Sequence, residues 1–356
     1  MSATLPPQIA RLLHEGTVIP AHPLALDERR RLDERRQRAL TRYYLAAGCG
    51  GVAVGVHTTQ FAIRDPRHGL LDRVLSLAAE TIDRAGATHS VIKVAGLCGP
   101  TEQAVTEARL ATSLGYHLGL LSPGGLEDWS PAALLERARA VAQVIPLFGF
   151  YLQPAAGGRH LDHAFWREFA DIPGVAAIKI APFDRYRTLD VVRAVCLSPR
   201  RDEIALYTGN DDTIVADLLT PFRVDCAGHT VEKRIVGGLL GQWAVWTAQA
   251  VALLAEIKRV RATETLPASL LTRGARLTEA NAAIFDVAHA FAGCIPGIHE
   301  VLRRQGLLAG VWCLDPDEVL SPGQQQEIER VRAFPDALAE DEFIAARLSD
   351  WLDAPA

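Results

Sequence analysis

With 356 residues, 49% hydrophobic and 22% charged positions, the chain is long enough to bury a large core and falls outside the disordered class. A formal net charge of −5 supplies no basic footprint for a phosphate backbone, which argues against nucleic acid as a partner and for a small molecule. Six cysteines, Cys49, Cys98, Cys196, Cys226, Cys294 and Cys313, contain no CxxC pair, so neither a disulfide scaffold nor a zinc site is expected and the thiols read as reduced and cytoplasmic.

Residues 1–16 carry two early prolines and no apolar core of signal-peptide length, and read as a surface lead-in. From 17 to 261 one plan repeats: a short Val/Ile-rich run, a polar or glycine-containing turn, then a longer stretch of helical periodicity. The expected strands are Thr17 to Ala21, Gly51 to His57, Ser90 to Ala95, His117 to Leu121, Pro146 to Tyr151, Val175 to Ile180, Ile204 to Thr208, and one within Val224 to Leu240. Amphipathic segments such as Leu32 to Ala47 and Ala132 to Val144 lie between them, the second opened by Ser130-Pro131, an N-cap followed by a first-turn proline.

An open doubly wound sheet would show the same alternation, but it advertises a GxGxxG turn after its first strand, where this chain has Pro20-Ala21-His22-Pro23. The expectation is therefore an α/β fold of the (β/α)8 TIM-barrel type. The uncharged run Ile235 to Ala255 is long enough to raise a membrane helix, but its glycines and glutamines fit a buried strand followed by a core-facing helix, so no membrane partner is expected. Beyond residue 262 the alternation stops, and Leu277 to Phe291, Pro296 to Gln305, Pro322 to Ala333 and Asp341 to Leu352 continue as helices in a C-terminal appendage spanning 262–356.

In such barrels chemistry gathers at the C-terminal ends of the strands. Lys179 interrupts the apolar run Val175 to Pro182, in a chain that has only Lys93, Lys179, Lys233 and Lys258 among its 37 basic residues. Burial disfavours an ammonium, and a drop of roughly three pKa units would leave free amine near neutral pH, able to attack a ketone. The plainer alternative is a lysine that snorkels to the rim or pairs with Asp184 or Asp211. Lys93, in Val91 to Ala95, is the rival nucleophile. Thr58 and Thr59 follow the second strand, where hydroxyls and main-chain N–H groups suit a carboxylate, though a turn-stabilising pair is equally in keeping. Tyr151 closes the fifth strand, where a phenol near the lysine would relay protons, or simply pack at the rim.

Together these residues resemble the dihydrodipicolinate synthase and N-acetylneuraminate lyase family of Schiff-base barrels, over nearly the whole chain. Val56-His57-Thr58-Thr59-Gln60 is similar to the family's Gly-Thr-Thr-Gly-Glu carboxylate loop. Phe150 to Pro154 resembles its Tyr-Asn-x-Pro segment, and Lys179 falls where the family has its imine-forming lysine. Thr208-Gly209-Asn210-Asp211-Asp212 resembles the Ser-Gly-Asp-Asp turn after strand seven, and Cys294-Ile295-Pro296 the Asn-x-x-Pro stretch before the late helices. The resemblance demotes Lys93. It implies a lyase, an aldolase or dehydratase, that binds pyruvate or another 2-oxo acid as an imine on Lys179. Thr58 and Thr59 would hold the carboxylate, Thr58 and Tyr151 would serve catalysis with the tyrosine moving protons, and Gly209, Asn210 and Asp211 would line the substrate; His57, where the family has glycine, is expected to reach into the pocket as a further substrate contact. It implies no metal or organic cofactor, since the imine is the electron sink, and a homo-oligomer, dimer or tetramer.

The departures are equally specific. His57, Gln60 and Phe61 replace Gly, Gly and Glu in the loop, Ser122 to Gly125 lacks a tyrosine, and Arg159 lies farther along than the family's arginine. These changes point away from lysine biosynthesis and toward a divergent enzyme. They also motivate a different expectation, a catalytically lapsed relative that binds a metabolite or partner. A third reading is a phosphate-binding barrel enzyme using the glycines Gly237, Gly238 and Gly241.

Overall fold

The computed structural model describes residues 3–86, 90–226, 228–263, 265–334 and 340–354. Ten strands follow in chain order: β1 Val18–Pro20, β2 Gly51–Val54, β3 Ile92–Leu97, β4 Leu118–Leu121, β5 Leu147–Leu152, β6 Val175–Ala181, β7 Ala205–Thr208, β8 Phe222–Cys226, β9 His229–Lys233 and β10 Ile235–Leu240. Eight of them form one sheet in the order β1-β10-β7-β6-β5-β4-β3-β2, and a parallel bridge between Ala21 and Ala53 joins the ends of that order. The fold is a (β/α)8 barrel with C-terminal helices, as the alternation of elements implied. The sheet strands are almost wholly buried, because helices cover a parallel barrel from outside while its own side chains fill the inside.

Contacts divide the chain into two compact units, 1–17 with 92–239 and 18–91 with 240–356. In the first unit β3 to β7 pair in sequence, each parallel to the next. The expected lead-in is not a loose end: Pro7–Glu15 is a helix with Ile9 and Leu13 buried, and the Leu13 carbonyl accepts the Tyr207 hydroxyl at 2.9 Å. Two differences in the strands have local causes. The second strand stops at Val54 because Gly55 turns at φ +74° and His57–Thr59 winds into a 3-10 turn. The stretch expected to hold the eighth strand splits, with β8 and β9 forming an antiparallel hairpin ahead of β10.

In the second unit, helices Ala268–Ile284, Cys294–Arg304 and Gln324–Arg332 pack on one another, and Leu348–Asp353 packs on Glu34–Ala46. The expected last helix is two short ones, Asp341–Ala345 and Leu348–Asp353, and part of the acidic stretch ahead of it, 335–339, lies outside the described residues. The uncharged run 235–255 is β10 and the start of helix Thr247–Val260, and no described helix is long and apolar enough to cross a membrane.

Glu340 is the buried acid of this unit. It is 3% exposed, accepts from the Ala248 N–H at the start of helix Thr247–Val260, and hydrogen-bonds with Tyr43. Burial pushes its carboxyl up to about 7, against those hydrogen bonds, which favour the anion. The folded state therefore holds a proton that the unfolded chain releases near its ordinary 4.5. The associated stability is complete below pH 4.5 and lost as pH rises through 7, by roughly 3 kcal/mol. Glu340→Gln is expected to match the parent at pH 4 and to exceed it at pH 8, read as the difference between two urea-unfolding series. Parallel curves at both pH values would refute the assignment.

Candidate active site

Strand register assembles the lysine face. Phe150, Lys179 and Tyr207 are direct neighbours across β5, β6 and β7, and so project from the same side of the sheet. The opposite side is the helical layer: Gly149 there is packed so closely that a Cβ would lie 2.5 Å from the Phe169 ring. Lys179 therefore faces the barrel interior, with its Nζ 4.3 Å from the centre of the Phe150 ring. It is 9% exposed, and desolvation lowers its pKa to about 8, while the Asp211 carboxylate pulls the other way. Roughly a fifth of the amine is then neutral at pH 7.4, compared with about one part in a thousand at the ordinary value.

Gly209 makes room for this lysine. A Cβ at that position would stand 2.5 Å from Lys179 Cε and 2.7 Å from the Ala181 Cβ, closer than carbon atoms approach. The Gly209 N–H donates to the Ile180 carbonyl at 2.7 Å, which pins the turn to β6. Asn210 is buried and fully committed to the same turn: its Oδ1 accepts from the Phe183 N–H, and its Nδ2 donates to Thr188 and Asp217. Asn210 thus serves as a strut of this turn. The expected Asp211 lies close enough to act on the lysine electrostatically.

Asp217 anchors this network and was not singled out in the sequence. Its carboxylate is fully buried and accepts from the Thr208 hydroxyl at 2.6 Å and from Asn210 Nδ2 at 3.0 Å, while Arg185 Nη1 reaches its other oxygen at 2.6 Å. A lone Asp in the run Ile214 to Leu219 was the available signal, since an acid on an otherwise buried helix face needs partners. Asp184 takes the capping role, accepting from the Tyr186 and Arg187 N–H groups.

Tyr151 does not join the lysine. It is the next residue after Phe150, so it points to the helical side, packs at 5.1 Å on the Trp166 ring and accepts from the Leu161 N–H at 3.2 Å. The facing follows from the strand itself, since in an extended strand a one-residue offset reverses the face. Phe150 holds the interior position beside the amine. Tyr151→Phe is accordingly expected to change the rate of reductive methylation at Lys179, read by peptide mass spectrometry, less than twofold, whereas a change of tenfold or more would place the phenol beside the amine.

Lys93 loses its candidacy for a geometric reason. Its Nζ lies 3.3 Å from where a Cβ of Gly115 would be, in the turn that precedes β4, at the opposite end of the strands from the βα loops. Arg159 donates to the carbonyls of Leu126 and Trp129 and ties down the loop after β4.

In the second unit the threonine loop is built on the main chain of 21–22. Thr58 donates its hydroxyl to the Ala21 carbonyl at 2.8 Å. Thr59 donates to the His22 carbonyl at 2.6 Å and accepts from the N–H groups of Gly55 and Val56. Both hydroxyl protons are committed to the backbone, so these side chains hold the loop's shape. His22 itself is fully buried between Thr41, Gln37 and the Pro23 carbonyl, and burial lowers its pKa to about 4, keeping it neutral. His57 stacks edge-on to Phe61 at 5.9 Å. Gln60, in the left-handed region at φ +67°, accepts from the Leu314 N–H at 2.6 Å and so fastens the loop to the C-terminal region. Among the described residues no cluster of His, Cys, Asp or Glu suits a metal ion.

No family model matches the chain, and no curated protein matches its sequence. Solved structures do. A dihydrodipicolinate synthase from Oceanobacillus iheyensis superposes with a TM-score of 0.69 at 18% identity, covering 91% of this chain and 97% of its own. A prophage protein of the dihydrodipicolinic acid synthase family from E. coli K12, in complex with pyruvate, gives 0.72 at 16% identity, covering 89% and 97%. An N-acetylneuraminate lyase from Fusobacterium nucleatum, complexed with pyruvate, gives 0.67 at 15% identity, covering 90% and 97%. The fold of the chain is the fold of these proteins, over nearly their whole length.

Proposed function

We propose that the chain is a divergent member of the dihydrodipicolinate synthase and N-acetylneuraminate lyase superfamily, a lyase of the aldolase or dehydratase type that acts on a pyruvate-like 2-oxo acid. The observation that carries this reading is the Lys179 amine: buried in the barrel interior, cleared by Gly209, and lowered to about 8. Two of the similar structures are described as pyruvate complexes, which supports the substrate class. In the proposed reaction the neutral amine adds to C2 of the acid and the carbinolamine loses water to give an imine. In the aldolase branch the C4 hydroxyl gives up its proton, the C3–C4 bond breaks, an aldehyde leaves, and the pair held on C3 by the protonated imine then takes a proton. In the dehydratase branch a proton leaves C3 and its pair forms the C3–C4 double bond as the C4 hydroxyl departs with a proton as water; in both, water hydrolyses the imine and frees the amine. No metal or organic cofactor is needed for this sequence.

The role given to Thr58 and Thr59 at the carboxylate rests on the motif alone. A homo-oligomer and a cytoplasmic location belong to the same reading; one similar structure is described as a monomeric dihydrodipicolinate synthase variant, so assembly is not a corollary of the fold. A non-catalytic metabolite-binding relative is the second reading, favoured by the outward-facing Tyr151 and by the committed threonine hydroxyls.

Intact-mass analysis after incubation with pyruvate and longer 2-oxo acids in the presence of borohydride separates the two. A reduced adduct on the parent, absent from Lys179→Ala, is the expected result. Folded protein that forms no adduct with any acid would favour the non-catalytic reading.

A further inference from the structure

Away from Lys179, the first unit has a concave site. Helix Arg185–Leu197, helix Ile214–Leu219 and the β8–β9 hairpin enclose a groove of about 670 Å³. Its lining includes apolar Leu189, Phe222 and Val224 and three arginines, Arg185, Arg193 and Arg223. One acid lines it, Asp225, whose carboxylate accepts from the Thr230 hydroxyl at 2.8 Å. The hairpin that forms one wall is the insertion between β7 and β10, outside the eight-stranded sheet.

The guanidinium groups are unequally occupied. Arg185 holds Asp217 and Thr213 through its two terminal nitrogens. Arg223 pairs with Glu232 through Nε at 3.2 Å. Arg193 has no hydrogen bond or ion pair among the described residues, although most arginines of this chain with described contacts pair with a carboxylate. Planar donors and apolar side chains lining one groove suit a carboxylate or phosphate bonded to a carbon skeleton, and the volume is that of an organic ligand rather than of a bare inorganic ion.

We propose that this groove binds an organic anion, a polycarboxylate or phosphate ester, and that Arg185 links its occupancy to the lysine turn. Arg185 lines the groove and also grips Asp217, whose second oxygen holds Thr208 and Asn210 on either side of Gly209. Gly209 in turn lies against the Lys179 stem. An anion that shares Arg185 weakens its hold on Asp217 and relaxes the turn, so groove and amine are coupled through one buried carboxylate.

Titration calorimetry of the full chain at constant ionic strength, with citrate and with fructose 1,6-bisphosphate as probes, tests the site. Saturable binding of at least one probe is expected, weakened tenfold or more in Arg193→Ala/Arg223→Ala, whose changes are exposed and remote from Lys179. The preferred probe identifies which anion class the groove takes. Equal affinity of the double variant, or no saturation by either probe, would overturn the site. The link is read separately, as the rate of reductive methylation at Lys179 measured by peptide mass spectrometry. The bound probe is expected to change it at least twofold in the parent and not in the double variant, and an unchanged rate on saturation would overturn the link. Neither readout uses a 2-oxo acid, so the outcome is independent of the proposed lyase activity.

Discussion

Lys179→Met is expected to abolish imine trapping and, at the same time, to make the folded chain more stable at neutral pH. The folded lysine titrates near 8 and the unfolded one near 10.5. Between those values the unfolded chain binds the extra proton, so stability rises with pH through that window and is at its lowest below 8. The deficit at pH 7 amounts to roughly 3 kcal/mol on the pKa difference, an upper figure because Asp211 shares the titration. Methionine matches the stem in length and carries no charge, so it removes the deficit while filling the space beside Phe150 and Gly209. Chemical denaturation at pH 7 and pH 10 gives the check. The variant should exceed the parent at pH 7 and approach it at pH 10. A variant less stable than the parent at pH 7 would mean that the ammonium is held by contacts that outweigh its desolvation, and the amine would then be a poor nucleophile.

Asp217→Ala has the opposite sign. Removing the carboxylate leaves the buried Thr208 hydroxyl and one N–H of the buried Asn210 amide without their acceptor, and the half-exposed Arg185 without its ion pair. Leaving two buried donors unsatisfied costs about 2–4 kcal/mol. The effect should appear as a lower urea midpoint with an unchanged slope, and a loss under about 1 kcal/mol would show that water replaces the carboxylate without strain. The turn 208–210 also sets Gly209 against Lys179, so the variant should trap pyruvate more slowly even at temperatures where it is fully folded. Asp217→Asn is the informative companion: it keeps the volume but presents an NH2 toward donors, and is expected to recover only part of the loss.

Much of this was legible along the chain. Short apolar runs and helical periodicity are properties of local sequence, so seven of the eight sheet strands were found within a few residues and the eighth only within a longer stretch, and the lysine within β6 stood out because a charge in an apolar run conflicts with its surroundings. The glycine at 209 and the acid at 211 were placed near that lysine by motif, and both act on it.

What the local pattern could not decide was direction and partnership. Whether Phe150 or Tyr151 faces the amine depends on the register of β5 against β6, a long-range pairing in which one residue reverses the face. The threonine hydroxyls were available on paper, but the carbonyls of Ala21 and His22 claim them once strand ends meet. Asp217 and Arg185, 32 residues apart, become one unit with Thr208 and Asn210 only when the start of the helix after β6 meets the helix after β7. The sequence determined the barrel and its buried amine, because burial and periodicity are written residue by residue. The tertiary structure decided what surrounds the amine, because hydrogen-bond partners and facing are set by segments distant in the chain that must satisfy each buried polar group.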